Sequence, residues 1–131
     1  MASPAPHRHQ HQVLIVDDYP DICEALAMVL GMDGMEVRTA LSGPAALAEL
    51  EAGFRPCVML LDIRMPGMNG WDVWERMQHD PELAATPVVV VSGDGPDAGR
   101  ARAVGMRAVL RKPVESATLL AAVAEHCAAG R

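Results

Sequence analysis

From Val13 onward the apolar positions keep changing period. Val13 to Val16 is a short unbroken apolar run that stops at Asp17-Asp18. Asp21 to Leu30 then places Ile22, Ala25, Leu26, Val29 and Leu30 at i, i+3, i+4, i+7 and i+8, which is one face of a helix. Pro20 suits its first turn, where a missing N–H costs nothing, and Gly31 and Gly34 end it. Met35 to Ala40 alternates like a strand, and Gly43 to Ala52 is an Ala/Leu-rich helix stopped by Gly53. Cys57 to Leu61 is a second fully apolar strand, ending at Asp62, and the loop Ile63 to Asn69 follows with Pro66 and Gly67. Gly70 to His79 reads as a helix with Trp74 and Met77 on one face, and Val88 to Val91 as a buried strand ending at Ser92. Asp97 to Gly105 is a weak helix diluted by Gly99, and Arg107 to Leu110 a strand before Arg111-Lys112-Pro113. Glu115 to Ala128 is a last helix, with Leu120, Val123, Ala124 and Cys127 inward.

Strand and helix thus alternate through five units. Strands without polar alternation are buried on both faces, so the expected fold class is α/β, a parallel sheet covered by helices on both sides. Right-handed crossovers put every strand's carboxyl end on one edge. The 131 residues suit one domain, expected over 13–128 with a disordered tail at 1–12 and a short tail at 129–131. His7, His9 and His11 alternate in the first tail, which reads as a plain disordered tail rather than a metal site. Only Tyr19, Phe54, Trp71 and Trp74 are aromatic, so Val, Leu, Met and Ala must fill the core.

The net charge of −6 argues against a nucleic-acid partner, and the short apolar runs argue against a membrane span. Cys23, Cys57 and Cys127 stand far apart without a CxxC pair. They are expected as separate buried thiols in a reducing, cytoplasmic compartment.

Asp17, Asp18, Asp62, Ser92 and Lys112 all fall just past strand carboxyl ends, the edge where open α/β sheets build their sites. Singly they have ordinary roles: helix caps for the acids, a turn for Ser92, solvation for Lys112. Together, if the first and third strands are neighbours, they make an acidic cluster. Two carboxylates about 4 Å apart repel by about 4 kcal/mol at an effective dielectric near 20. Such a cluster needs protons or a cation, and an all-oxygen donor set suits Mg²⁺. An Asp beside a divalent ion can act as nucleophile toward phosphorus and form an acyl phosphate. Lys112 would supply positive charge to the phosphoryl oxygens and Ser92 a hydroxyl.

The chain resembles the response-regulator receiver domains of two-component signalling from about Val13 to Cys127. The resemblance rests on Asp17-Asp18 after the first strand and on Asp62-Ile-Arg-Met-Pro-Gly-Met-Asn-Gly70. It also rests on Ser92 at a Ser/Thr position and on Lys112-Pro113. It implies strand order 2-1-3-4-5 in a flavodoxin-like fold. It implies that Asp62 accepts phosphate from a histidine kinase or a histidine phosphotransfer protein. It implies Mg²⁺ at Asp18, Asp62 and the backbone carbonyl of Arg64, with Asp17 acting through water, and a cis peptide before Pro113. The chain would then be a phosphoacceptor with slow self-dephosphorylation rather than a turnover enzyme, and a monomer or weak dimer. In this family Asp94 and Arg64 would tune dephosphorylation. Val109 stands where the family usually has Tyr or Phe, so the response is expected in the loop Gly93 to Gly99 more than in Arg107 to Arg111. Trp71 and Trp74 are candidates for core packing or a partner contact.

Three other readings remain. A small phosphatase with an aspartyl nucleophile would carry a second Asp where Arg64 stands. A flavodoxin-like nucleotide binder would carry a Gly-rich phosphate loop where Asp17-Asp18-Tyr19-Pro20 stands. A receiver-shaped module that switches without phosphate is the third.

Overall fold

A computed structural model describes residues 11–93 and 97–127. The elements run β1 (Gln12–Val16), α1 (Pro20–Met32), β2 (Glu36–Ala40), α2 (Gly43–Glu51), β3 (Val58–Asp62), α3 (Gly70–Gln78), α4 (Pro81–Ala84), β4 (Val88–Ser92), α5 (Asp97–Val104), β5 (Ala108–Arg111) and α6 (Ser116–Cys127). All strand pairs are parallel, and the order is β2-β1-β3-β4-β5. Chain direction across the sheet therefore reverses between β1 and β3, which opens a crevice beyond their carboxyl ends.

The unbroken apolar runs are explained by two core layers. Leu14, Val16, Met59, Leu61, Val88 and Val90 pack with Leu47 and Leu50 of α2, Val73 and Met77 of α3 and Ala101 of α5. Val13, Ile15, Val58, Leu60, Val89 and Val91 pack on the other face with Cys23, Leu26 and Leu30 of α1 and Leu119 and Val123 of α6. Successive residues of a strand serve opposite layers, so every position on β3 and β4 must be dry.

Several expectations change. The inward stripe of α1 is Cys23, Leu26 and Leu30, while Ala25 is exposed. On α6 it is Leu119, Ala122, Val123 and Cys127, with Leu120 only partly buried and Ala124 exposed. Both stripes fit a 3.6-residue period as well as those expected; a rotation of about 100° per residue separates neighbouring candidates, and packing selects between them. The short helix α4 was not expected. Gln12 already belongs to β1, so the domain begins inside the expected tail. Gly99 lies within α5, as the weak helix expected from Asp97 places it, so the loop expected as Gly93 to Gly99 gives way to helix at Asp97. His7, His9 and the loop residues Asp94 to Pro96 lie outside the described residues. The cysteines are not three separate thiols: Cys57 and Cys127 are joined as a disulfide, and Cys23 is the free one. Trp74 and Trp71 pack partly buried against the first core layer, and the Arg100 guanidinium stacks 4.1 Å from the Trp71 ring.

Gly70 fixes where α3 starts. A Cβ there would lie 2.7 Å from the Asp62 carbonyl oxygen and 2.8 Å from Ile63 Cα, so no side chain fits between the end of β3 and the helix. The Gly70 N–H closes the loop by donating to the Ile63 carbonyl at 3.0 Å. Gly67, with φ of 73°, makes the turn on the way. Asn69 and Asp72 exchange hydrogen bonds as a capping box, which anchors the first turn.

Candidate functional site

Register brings the acids together. Val16 pairs with Leu61, so Asp17, one residue on, stands beside Asp62 at the end of β3. Asp17 and Asp62 are 2 % and 3 % exposed, and Asp18 is half-buried. Carboxylate oxygens of Asp17, Asp18 and Asp62 lie within 4.8 Å of one another. Neither Asp17 nor Asp18 is the cap of α1; that position is Tyr19, whose N–H donates to Asp17 Oδ1 at 2.9 Å. The backbone thereby orients the Asp17 carboxylate.

Lys112 joins the cluster from the far side. Its backbone N–H donates to the Ser92 carbonyl at 3.0 Å, and the Lys112–Pro113 peptide is cis. Its Nζ lies 2.9 Å from Asp17 Oδ2 and 3.4 Å from Asp62 Oδ1. One ammonium thus bridges two of the acids. Burial works against the Lys112 charge, but the hydrogen bond to Asp17 and the Asp62 carboxylate outweigh it and raise its pKa. Asp62 is pushed up to about 6, first by burial and then by the Asp17 charge, with Lys112 opposing. Its Oδ1 also accepts the Arg64 N–H at 3.3 Å.

Asp18 Oδ1 is buried and has no hydrogen-bond partner. A carboxylate oxygen held dry and unsatisfied beside two further acids is a poor arrangement unless a cation completes it. The all-oxygen donor set fits a hard divalent ion.

Ser92 is fully buried at the end of β4, and its hydroxyl donates to Asp97 Oδ2 at 2.9 Å. Asp97, 4 % exposed in the first turn of α5, also takes the Arg64 guanidinium at 3.1 Å. The expected pairing of Arg64 with Asp94 falls partly outside the described residues. Among those described, Asp97 is a partner of Arg64. Asp97 is the site residue that pattern reading missed. Its signal was an acid at the start of a weak helix, which ordinarily reads as a favourable helix-dipole charge. Val109 is partly buried against the first core layer.

Comparison with known proteins decides the family. The profile described as "Response regulator receiver domain" matches residues 13–124. The chain belongs to the response-regulator receiver domains. The receiver is 36 % identical over 113 residues to Protein PilH of Pseudomonas aeruginosa, covering 83 % of this chain and 91 % of PilH. It is 34 % identical over 114 residues to Response regulator PleD of Caulobacter vibrioides, covering 86 % of this chain but 25 % of PleD. The chain therefore spans about a quarter of that relative's length. Among solved structures, chemotaxis protein CheY4 of Vibrio cholerae matches with a TM-score of 0.83 and 29 % identity, over 90 % of this chain and 99 % of that one. A CheY-like receiver domain protein from Methanospirillum hungatei matches with a TM-score of 0.82 and 27 % identity, over 92 % and 96 % of the two chains. The expected fold and strand order of the receiver are both present. As a class, receiver domains are phosphorylated and interact with kinases or phosphotransfer proteins.

Proposed function

We propose that Asp62 is the phosphoacceptor of this receiver and that its donor is a phosphohistidine on a sensor kinase or a histidine phosphotransfer protein. One observation carries the reading: the Lys112 ammonium touches both Asp17 and the buried Asp62 at the crevice of the sheet. An Asp62 carboxylate oxygen forms the new O–P bond as the N–P bond to the donor imidazole breaks, and the imidazole leaves with the electron pair. Lys112 is placed to meet the phosphoryl oxygens, and Arg64 N–H steadies the carboxylate oxygen nearest it. Asp18, Asp62 and the Arg64 backbone carbonyl would hold Mg²⁺, with Asp17 acting through water. When bound, that ion neutralises the acids and shields the incoming phosphoryl group.

On this reading the chain is an acceptor rather than a turnover enzyme, and it works in the cytoplasm without a nucleic-acid partner. Among the described residues no helix is long and apolar enough to cross a membrane. Switching runs through Ser92. To reach a phosphoryl group its hydroxyl must leave Asp97, which leaves the start of α5 with the Arg64 contact but without this one, whereas Val109 has no ring to exchange places.

Incubation with acetyl phosphate and Mg²⁺, followed by intact mass, tests the chemistry. One phosphoryl group is expected only with Mg²⁺ present, and no uptake under either condition overturns the reading. The metal assignment has its own check. Asp18→Asn should raise the melting temperature of the metal-free protein by about 4 °C, since one repulsive charge of order 1 kcal/mol is removed. The same change should abolish the stabilisation that Mg²⁺ gives the native protein by mass action. A lower melting temperature with an intact Mg²⁺ response contradicts it.

A further inference from the structure

We infer that Cys57 and Cys127, with the His11 imidazole beside them, form a reversible thiol–disulfide site at the end of the sheet opposite the acidic crevice. Cys57 immediately precedes β3, and its N–H donates to the Gln12 carbonyl at 2.8 Å, which pins it beside the start of β1. Cys127 is the last residue of α6, whose return across the sheet brings its carboxyl end to the strands' amino ends. The two residues are 70 apart in sequence, yet their Cα atoms are 4.7 Å apart and their sulfurs are joined. That Cα spacing lies within the ordinary disulfide range of about 4.4–6.8 Å.

His11 Nδ1 lies 3.0 Å from Cys127 Sγ and 3.8 Å from Cys57 Sγ. Burial divides the labour between the sulfurs. Cys57 is half-buried, so a solution oxidant meets it first; Cys127 is fully buried, with Cys57 and His11 beside its sulfur. The oxidant class is a small disulfide. The Cys57 thiolate attacks one of its sulfurs, and one small thiolate leaves. His11 takes the proton of Cys127, whose sulfur attacks Cys57 and expels the second small thiolate. Two protein thiols thereby lose two electrons and two protons, and one small disulfide becomes two thiols. Cys23 serves as the internal contrast. It is buried, and its thiol donates to the Asp17 carbonyl at 3.4 Å, at the opposite end of the sheet from Cys57 and Cys127.

The test uses the full chain in glutathione buffers of graded ratio, followed by denaturation, alkylation and intact mass. Of the 3 cysteines, all should alkylate at the reducing end and only Cys23 at the oxidising end. The oxidised form should melt at least about 5 °C higher, because the cross-link closes a long loop in the unfolded chain. That gap should vanish in Cys57→Ser and Cys127→Ser and persist in Cys23→Ser. His11→Gln should slow oxidation severalfold and leave its final extent unchanged. Three alkylated cysteines at every ratio, or a zinc ion bound one to one that blocks oxidation until chelated, overturns the site. Unchanged kinetics in His11→Gln removes His11 from it.

Discussion

Asp62→Asn should take up no phosphoryl group from acetyl phosphate and, without metal at pH 8, should melt several degrees above the native protein. Loss of the nucleophile explains the first half. The second follows from the environment of Asp62. Burial and the Asp17 charge move its pKa from 3.8 to about 6 in the folded state. A carboxyl whose folded pKa is raised costs nothing below its unfolded value, where both states hold the proton. Stability is then lost as pH rises from about 4 through about 6, because the unfolded chain ionises more readily. The full loss is about 2–3 kcal/mol at neutral pH and above. Asparagine keeps the shape and an oxygen for Lys112 to donate to, but carries no charge. The two proteins should therefore converge in stability near pH 4 and separate through pH 6 to 8. Thermal melts across that range in chelator check the sign. A gap that closes at pH 8 instead, or phosphoryl label persisting on the Asn variant, contradicts the assignment.

Lys112→Met is expected to do the opposite. The ammonium is the cation that Asp17 and Asp62 share, and its side chain is 25 % exposed. Its raised pKa means its contribution is fully present below 10.5 and is lost only as pH climbs beyond that. Between pH 6 and 9 its removal leaves two buried carboxylates facing each other. Breaking such a pair costs about 3–5 kcal/mol when fully buried, and the partial exposure here reduces that to about 2–3 kcal/mol. The melting temperature in chelator at pH 7.5 should fall by roughly 10 °C. It should recover at pH 5, where Asp62 takes a proton, and also with millimolar Mg²⁺. Phosphorylation at saturating Mg²⁺ should slow about 100-fold, the usual scale for losing one charge that meets a developing anion. Native stability at pH 7.5 would show that the bridge contributes nothing.

Most of this architecture was legible because buried parallel strands are unmistakable: Val13–Val16, Met59–Leu61 and Val88–Val91 have no polar residue to suggest an exposed face. Four of the five strands, all but β2, end on a site residue or one residue before it, so Asp17, Asp62, Ser92 and Lys112 are legible as one edge from the sequence alone. The faces of α1 and α6 were harder, because both helices are apolar over a wide arc and several stripes fit the same period. Helix α4 spans only four residues, too short for periodicity, although Asp80-Pro81 is a good helix start and Asp80 does accept from the Glu82 N–H. Asp97 was missed because its role depends on two side chains arriving from other elements. The Cys57–Cys127 pair was missed for a topological reason. An odd cysteine count without local spacing reads as inert, and only the return of α6 across the sheet sets the two side by side.

The order of strands also leaves β2 and β5 at the borders of the sheet. Arg38 and Thr39 on β2 and Arg111 on β5 are exposed there. Arg38 is held in place by Glu49 at 2.9 Å and by the Phe54 ring, 4.3 Å from its guanidinium carbon. A fixed cation on a border strand is a poor template for another strand, because an incoming chain must accommodate the charge while it pairs its backbone. The sheet therefore resists lateral growth at both ends. Two folded copies meeting border to border along β2 would bring like charges together, which disfavours that pairing.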